Sequence, residues 1–164
     1  MRLEEPRKIH LKDYTAPSHT IDRVRLEITL HPEATKVFAK LEMRANSAGT
    51  VPNSLVLDGC ELTLLGIKLN GVTLHPHEFK STHDQLTVFN TPERFTLETV
   101  CEISPAKNTK LSGLYLADGI YCTQCEPEGF RHITYYLDRP DVLSVFSVRI
   151  NLELPVPILL SNGQ

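Results

Sequence analysis

The sequence predicts an all-β domain, an antiparallel β-sandwich with little helix. Apolar and polar residues alternate with a period of two along most of the chain, which is typical of strands with one buried face. Turn residues such as Asn-Gly and Asp-Gly interrupt these runs at roughly ten-residue intervals, a spacing that indicates a sandwich and not helix–strand units. Because 41% of the 164 residues are hydrophobic, one core can be buried, and we expect a single domain over residues 1–164.

The first predicted element is an antiparallel hairpin. Apolar residues occupy alternate positions from Val24 to Leu30 and again from Val37 to Ala45. Between the two runs lies His31-Pro32-Glu33-Ala34, with proline at the second position, which a type I turn favours. Two alternating runs separated by one short turn indicate paired strands.

Shorter strands are predicted along the rest of the chain. Asn70-Gly71 between two apolar runs indicates a tight hairpin, because both central residues of a type I′ turn need positive φ. Near 133–137 we expect a turn or two of helix, closed by Asp138-Arg139-Pro140. Further strands are expected at 55–57, 62–69, 72–79, 86–89, 95–103, 114–116, 120–123, 144–152 and 158–161.

The charge balance, the lack of long apolar runs and the small number of cysteines argue against several classes of protein. With 17 basic and 20 acidic residues the formal net charge is −3, without the basic excess of proteins that bind nucleic acids or anionic membranes. No apolar run is long enough to span a membrane, and the charged start of the chain lacks the apolar core of a secretion signal. Four cysteines are too few for a disulfide scaffold, so we expect free thiols and a cytoplasmic location.

Short motifs supply no complete catalytic or metal site. His77-Glu78 lacks the second histidine of a His-Glu-x-x-His zinc helix, because position 81 is Ser81. Cys122 and Cys125 have the spacing of half a zinc site or a redox pair, yet no second pair of ligands accompanies them. We therefore favour a packing role for these cysteines and expect no metal bound by this chain, with metal binding or redox chemistry as the alternative.

The most unusual segment is 122–141, where charged and aromatic residues are mixed. It carries seven acidic and basic groups beside the aromatic residues Phe130, Tyr135 and Tyr136. Such a composition suits neither a plain core strand nor a plain turn. It indicates either a solvated connection held by arginine–carboxylate pairs or a polar surface that docks against another body.

The order of residues in this segment, Cys-Thr-Gln-Cys-Glu-Pro-Glu-Gly-Phe-Arg-His-Ile-Thr-Tyr-Tyr-Leu-Asp-Arg-Pro-Asp, resembles a known family. It is similar to the amino-terminal domain of the bacterial aminopeptidase N family, zinc exopeptidases with a thermolysin-like catalytic domain. Further stretches support the resemblance along nearly the whole chain. They are Asp-Tyr-x-Ala-Pro at 13–17, Pro-Glu-Arg-Phe-Thr-Leu at 92–97, Glu-Ile-Ser-Pro-Ala-x-Asn-Thr at 102–109, Leu-x-Gly-Leu-Tyr at 111–115 and Leu-Leu-Ser-Asn-Gly at 159–163.

The resemblance implies a saddle-shaped, multi-stranded β domain placed before a catalytic domain. The chain would then be the amino-terminal fragment of a larger zinc aminopeptidase that releases N-terminal amino acids from peptides, with the catalytic domain beginning after Gln164. The zinc helix and the Gly-x-Met-Glu-Asn segment of the family do not occur in 1–164. Hydrolysis and zinc binding are therefore expected of the full-length enzyme and not of this chain. The alternative is a stand-alone, non-catalytic β-sandwich that binds a partner.

The resemblance also implies roles for individual residues. Gln124 and Glu126 correspond to the glutamine and glutamate that hold the substrate's free amino terminus in the family. A carboxylate and an amide oxygen are suitable acceptors for an α-ammonium group. We expect the aromatic block that follows them to dock against the catalytic domain. The residues of this docking surface would be Tyr135, Tyr136, Asp138 and Arg139. The expected partners are thus peptides with a free amino terminus and the catalytic domain of the same polypeptide.

Overall fold

Strands dominate the computed structural model, which describes residues 10–46, 53–152 and 158–163. Short 3₁₀ turns lie at Leu11–Asp13, Pro105–Lys107 and Phe130–His132. None of the described helices is long and apolar enough to cross a membrane. The strands are β1 (His19–Thr29), β2 (Thr35–Ala45), β3 (Ser54–Asp58), β4 (Thr63–Leu69), β5 (Val72–Thr73), β6 (Phe79–Ser81), β7 (Gln85–Phe89), β8 (Arg94–Ile103), β9 (Gly113–Ala117), β10 (Ile120–Gln124) and β11 (Val145–Asn151).

Six strands form the larger sheet, in the order β11-β1-β2-β8-β4-β5. β1 and β2 are the predicted first hairpin, with Leu26 opposite Ala39. β8 pairs antiparallel with β2, with Leu97 opposite Leu41. β11 is an exception to the antiparallel prediction, because it lies parallel to β1 and places Val148 beside Leu26. Parallel neighbours need a long connection, and the chain between β1 and β11 contains the other strands.

A three-stranded sheet, β3-β7-β6, shares its core with the larger sheet. Leu55 and Leu57 of β3 and Leu86 and Val88 of β7 are completely buried. They belong to one hydrophobic cluster with the inward residues of the large sheet, among them Leu97. This layering follows from the period of two, because alternate residues of β2, β3, β7 and β8 face the common core. The all-β class expected from the sequence is confirmed.

A two-stranded ribbon, β9 and β10, leads into the segment singled out in the sequence. Leu114 of β9 and Ile133 pack in a second hydrophobic cluster near the turn between β1 and β2. The other buried members of this cluster are Ile28, Val37 and Ile103. Because the cluster joins the ribbon to the large sheet, it fixes the position of the loop that follows β10.

The prediction of a helix at 133–137 is wrong. The helical turn lies earlier, at Phe130–His132, and residues 133–137 are buried. Main-chain hydrogen bonds join Asp58 and Tyr136 in both directions, at 2.8 and 3.0 Å. This bridge to the end of β3 uses the amide and carbonyl groups that a helix would have paired internally.

Two expected strands also differ from the structure. The run 72–79 is divided: Val72–Thr73 pairs with β4, a turn follows around Pro76, and Phe79–Ser81 pairs with β7. Proline has no amide hydrogen for a ladder and suits the second position of a turn. Residues 158–161 form no strand, and Leu160 is 90% exposed. Apolar character alone does not make a strand without a neighbour for its main-chain groups.

Candidate functional site

Gln124 and Glu126 lie where β10 passes into the following loop. Gln124 is the last residue of the strand and pairs with Gly113 of β9, and Glu126 follows two residues later. Both residues are exposed. The peptide bond between Glu126 and Pro127 is cis. Residues that bind a substrate must be accessible to it, and Gln124 and Glu126 both are. Their role in binding stays a prediction.

Gly129 allows this loop to fold back on its own start. Its amide donates to the carbonyl of Cys125 at 2.9 Å. A Cβ at this position would lie 2.4 Å from the carbonyl oxygen of Gln124 and 2.6 Å from the Cα of Cys125. Because both neighbours are main-chain atoms, only glycine fits without a movement of the backbone. The close turn therefore fixes the backbone from which Gln124 and Glu126 project.

A hydrogen bond within the loop orients the Gln124 side chain. Its Nε2 donates to the main-chain carbonyl of Glu126 at 2.8 Å. This bond uses the donor end of the carboxamide and leaves Oε1 as an acceptor. The Glu126 carboxylate beside it is a charged acceptor. Each of these groups is a suitable acceptor for a hydrogen bond from an ammonium group.

Arg131 ties the end of the loop to the rest of the domain. Its Nε donates to Oδ2 of Asp138 at 2.9 Å, and its Nη2 donates to the main-chain carbonyl of the same residue at 3.0 Å. Asp58 at the end of β3 accepts from the main-chain amide of Asp138 at 3.2 Å. The side chains of Arg131 and Asp138 are 24% and 13% exposed, so the pair is shielded from water. The motifs of the sequence assign Arg131 no role, although the expected arginine–carboxylate pairs in 122–141 include the one that it forms with Asp138.

Asp138 and Arg139 have separate partners inside the domain. Arg139 donates to both carboxylate oxygens of Asp141, at 2.9 and 2.7 Å, and to the main-chain carbonyl of Thr15 at 2.8 Å. The hydrogen bond from Arg139 lowers the pKa of Asp141. These contacts join the segment before β1 to the segment before β11. A role of either residue toward a second domain stays a prediction.

Tyr135 and Tyr136 are core residues, which corrects their assignment to an exposed docking surface. They are 0% and 5% exposed. Their hydroxyl groups hydrogen-bond inside the domain, with Oγ of Ser81 at 3.0 Å and with Oγ of Ser144 at 2.7 Å. Gly59 leaves room for Tyr135, since a Cβ there would lie 2.2 Å from the ring. A tyrosine ring is readily buried when its hydroxyl finds a partner, and both do here.

An apolar face is nevertheless exposed on β11. Phe146, Val148 and Ile150, which we call the β11 stripe, are 47%, 53% and 40% exposed. In the parallel register they stand beside the buried residues of β1 from Val24 to Ile28. The core face of the large sheet thus continues onto its edge strand, where the described part of the chain leaves it half-covered. An apolar stripe of this kind indicates an interaction surface.

The four cysteines are free thiols. Burial raises the pKa of Cys101 to about 12, and burial also raises the pKa of Cys125. Thiols with raised pKa values are protonated at neutral pH and are poor nucleophiles. This supports a packing role for Cys125 over a redox role.

The layered sheets and the exposed loop after β10 define an all-β domain. The family model described as the Peptidase M1 N-terminal domain matches residues 16–164, and the chain belongs to this family. The family resemblance drawn from the sequence is thereby confirmed.

The relatives of this chain include two bacterial proteins named aminopeptidase N. The protein of Caulobacter vibrioides is 44% identical over 163 residues, which cover 99% of this chain and 19% of that protein. The protein of Escherichia coli K12 is 42% identical over 161 residues, which cover 98% of this chain and 18% of that protein. The chain thus spans about a fifth of the length of these curated relatives.

Solved structures share the fold. A crystal structure of Legionella pneumophila aminopeptidase A in complex with aspartic acid matches with a TM-score of 0.80 and 33% identity, over 85% of this chain and 17% of that chain. An M1 zinc metallopeptidase from Deinococcus radiodurans matches with a TM-score of 0.68 and 18% identity, over 82% of this chain and 32% of that chain. The second match is evidence of a common fold alone.

Proposed function

We propose that this chain is the substrate-anchoring domain of a zinc-dependent aminopeptidase, in which Gln124 and Glu126 hold the free amino terminus of a peptide. The observation that carries the proposal is that both acceptors are exposed on one turn. The backbone of this turn is fixed because Gly129 packs against the main chain of Gln124 and Cys125. An enzyme that removes one residue at a time needs an anchor for the α-ammonium at a constant distance from the reacting bond. A rigid turn supplies that distance.

The zinc of the proposed aminopeptidase does not fit at this loop. Among the described residues, neither Cys122, Cys125 nor Glu126 belongs to a group of three potential metal ligands. We therefore assign the catalytic zinc to polypeptide outside 1–164, where it would supply an activated water and polarise the scissile carbonyl when bound. The part of this chain is to bind and orient the peptide.

The anchor acts through charge-assisted hydrogen bonds. A substrate α-ammonium would donate to the Glu126 carboxylate and to Oε1 of Gln124. A hydrogen bond to a charged group contributes about 1.5–3 kcal/mol. Its loss corresponds to roughly 10- to 150-fold in kcat/KM, at about 1.36 kcal/mol for each factor of ten. Because an α-amino group has a pKa of about 8, we expect substrate binding to weaken above that pH.

The β11 stripe supports a second body of the same polypeptide as the partner of this domain. We propose that the catalytic domain packs against it, since the curated relatives are about five times as long as this chain. We also propose a cytoplasmic location, which the free thiols support because a reducing compartment keeps cysteines unpaired.

The test of the anchor is Glu126→Ala in the full-length enzyme, assayed on an amino-acid anilide. We expect kcat/KM to fall by about 10- to 150-fold, since a charged acceptor is lost. Gln124→Ala should lower kcat/KM by a smaller factor, because its acceptor is neutral.

Glu128→Ala is the matched control. Its carboxylate is also exposed and lies two residues further along the same loop, 3.8 Å from Nη2 of Arg131. We expect the control to keep its activity. If kcat/KM of Glu126→Ala stays within about twofold of wild type, the anchoring role is refuted, because loss of a charged contact should lower kcat/KM by at least about tenfold. The coding sequence beyond Gln164 distinguishes an enzyme from a stand-alone module by the presence of His-Glu-x-x-His.

A further inference from the structure

Three side chains with metal-binding atoms converge where β3 ends and the β6–β7 hairpin turns. They are Cys60, His83 and Asp84, and their potential ligand atoms all lie within 4.8 Å of one another. Nδ1 of His83 is 2.6 Å from Oδ1 of Asp84, and Sγ of Cys60 is 3.9 Å from the same oxygen. Neither the motifs of the sequence nor the proposed peptide anchor accounts for this cluster.

The convergence is built into the backbone. β3 and β7 pair so that Asp58 lies opposite Gln85, and the next amide along, that of Gly59, donates to the carbonyl of Asp84 at 2.9 Å. On the other side, the amide of Cys60 donates to the carbonyl of Arg131 at 2.9 Å. Two segments that are far apart in sequence are thus held with their side chains facing the same point.

The hairpin turn is closed by its own hydrogen bonds. The amide of Thr82 donates to the carbonyl of Gln85 at 2.8 Å, and the amide of Gln85 donates to Oγ1 of Thr82 at 3.1 Å. The turn therefore presents His83 and Asp84 from a defined backbone, whereas their side chains are 70% and 76% exposed and are not fixed by packing. A rigid backbone with adjustable side chains suits a ligand that must draw several atoms together.

We propose that Cys60, His83 and Asp84 bind a zinc ion, with the fourth position open to water. A thiolate, an imidazole and a carboxylate are the ligand types that zinc prefers. Metal–ligand bonds of about 2.0–2.3 Å in a tetrahedron place ligand atoms roughly 3.3–3.7 Å apart. The distance from Asp84 Oδ1 to His83 Nδ1, 2.6 Å, is shorter than this range, and the distance to Cys60 Sγ, 3.9 Å, is longer. Small side-chain rotations therefore suffice to bring these atoms to the spacing of zinc ligands. Burial raises the pKa of the Cys60 thiol, so its proton must pass to solvent when the ion binds. The resulting thiolate and the Asp84 carboxylate balance the two charges of the ion.

Cobalt(II) is the probe, because it replaces zinc in such sites and its bond to a thiolate absorbs light in the near ultraviolet. We expect titration of the 164-residue chain to give this absorption, with saturation at one equivalent and reversal by zinc. Cys60→Ser should abolish the band, and Asp84→Asn should weaken binding by at least about 10-fold, as loss of a metal partner does.

Cys122→Ser is the matched control, because Cys122 is another partly exposed free thiol outside the cluster. The control should keep the band and the stoichiometry. Zinc should also raise the melting temperature of wild type and of Cys122→Ser, and not that of Cys60→Ser, because binding stabilises only a folded site.

The proposal is overturned if wild type gives no thiolate band, or if the band survives Cys60→Ser. Circular dichroism of each variant checks the fold. Asp84→Asn keeps size and lies on an exposed turn, so it tests the site even where Cys60→Ser fails to fold.

Discussion

His19 is a histidine in the core, and its environment makes the stability of the domain sensitive to pH. The residue is 0% exposed, and its ring meets the Phe95 ring edge to face at 5.9 Å. Nδ1 pairs with Oγ of Ser18 at 3.0 Å, whereas Nε2 has no hydrogen-bond partner among the described residues. Burial lowers the pKa of His19 below its usual value of 6.5, because a charged imidazole would lose its hydration there.

We expect acid to destabilise the domain through His19. Below pH 6.5 the unfolded state takes up a proton that the folded state does not, until the lower pKa of the folded state is reached. The free energy of unfolding should therefore fall with pH in that window, by at most about 1.4 kcal/mol per unit. Urea unfolding from pH 7.5 to 5.5 measures this slope.

Two variants isolate the effect. His19→Leu removes the titrating group and should flatten the slope, while His75→Gln, which changes an exposed histidine, should leave the slope unchanged. An equal slope in His19→Leu and wild type would show that other groups cause the acid sensitivity.

Single residues of the candidate site were predictable to different degrees. A motif names Gln124 and Glu126, and the structure exposes both. The same stretch of sequence does not distinguish a buried tyrosine from an exposed one, because the partner of the Tyr135 hydroxyl, Ser81, lies 54 residues away. Residue type alone reports what a side chain can do, and its environment depends on distant parts of the chain.

Among the elements, the regular strands and the tight turns at 31–34 and at Asn70-Gly71 were predictable, and the longer connections were not. Alternation locates β1, β2 and β8 because each has one face in the core. It reports which face is buried and not which strand lies alongside, so the parallel place of β11 beside β1 could not be inferred from it. The segment after β10 depends on Asp58, which bonds to Asp138 across 80 residues.

The loop after β10 depends on Gly129, and we expect Gly129→Ala to destabilise it. The new Cβ would lie 2.4 Å from a main-chain oxygen, so the backbone that carries Gln124 has to move. Overpacking of this kind costs about 1–3 kcal/mol in the free energy of unfolding. Urea unfolding measures the loss, and kcat/KM of the full-length enzyme should fall with it if the loop holds the substrate.

Gly66→Ala is the control for the glycine substitution. In β4 a Cβ at Gly66 would meet only Val100, at an ordinary 4.0 Å, so we expect little change in stability. Equal stability of the two variants would contradict the close-approach role of Gly129.

Among the described residues, the inner strands of the large sheet bury their core face, and apolar side chains are exposed on both edge strands, β11 and β5. The inward residues of β1 are buried in the core. The β11 stripe lies on the same face of the sheet and is exposed to solvent. At the opposite edge, β5 is a strand of two residues, Val72–Thr73. A short edge strand offers little surface for pairing, whereas β11 offers seven residues and an apolar face. The two edges therefore differ in what they can bind.

We expect the 164-residue chain to self-associate through the β11 stripe when no second domain covers it. Sedimentation velocity should show a weight-average sedimentation coefficient that rises with protein concentration. Val148→Lys places a charge in the middle of the stripe and should weaken association by at least about tenfold, or about 1.4 kcal/mol. Val72→Lys makes the same change at the opposite edge, where the valine is 69% exposed, and should associate like wild type. In the full-length enzyme the stripe should be covered, so association through it should be lost. A wild-type chain that stays monomeric at all concentrations, or equal behaviour of the two lysine variants, would mean that the stripe is not an interaction surface.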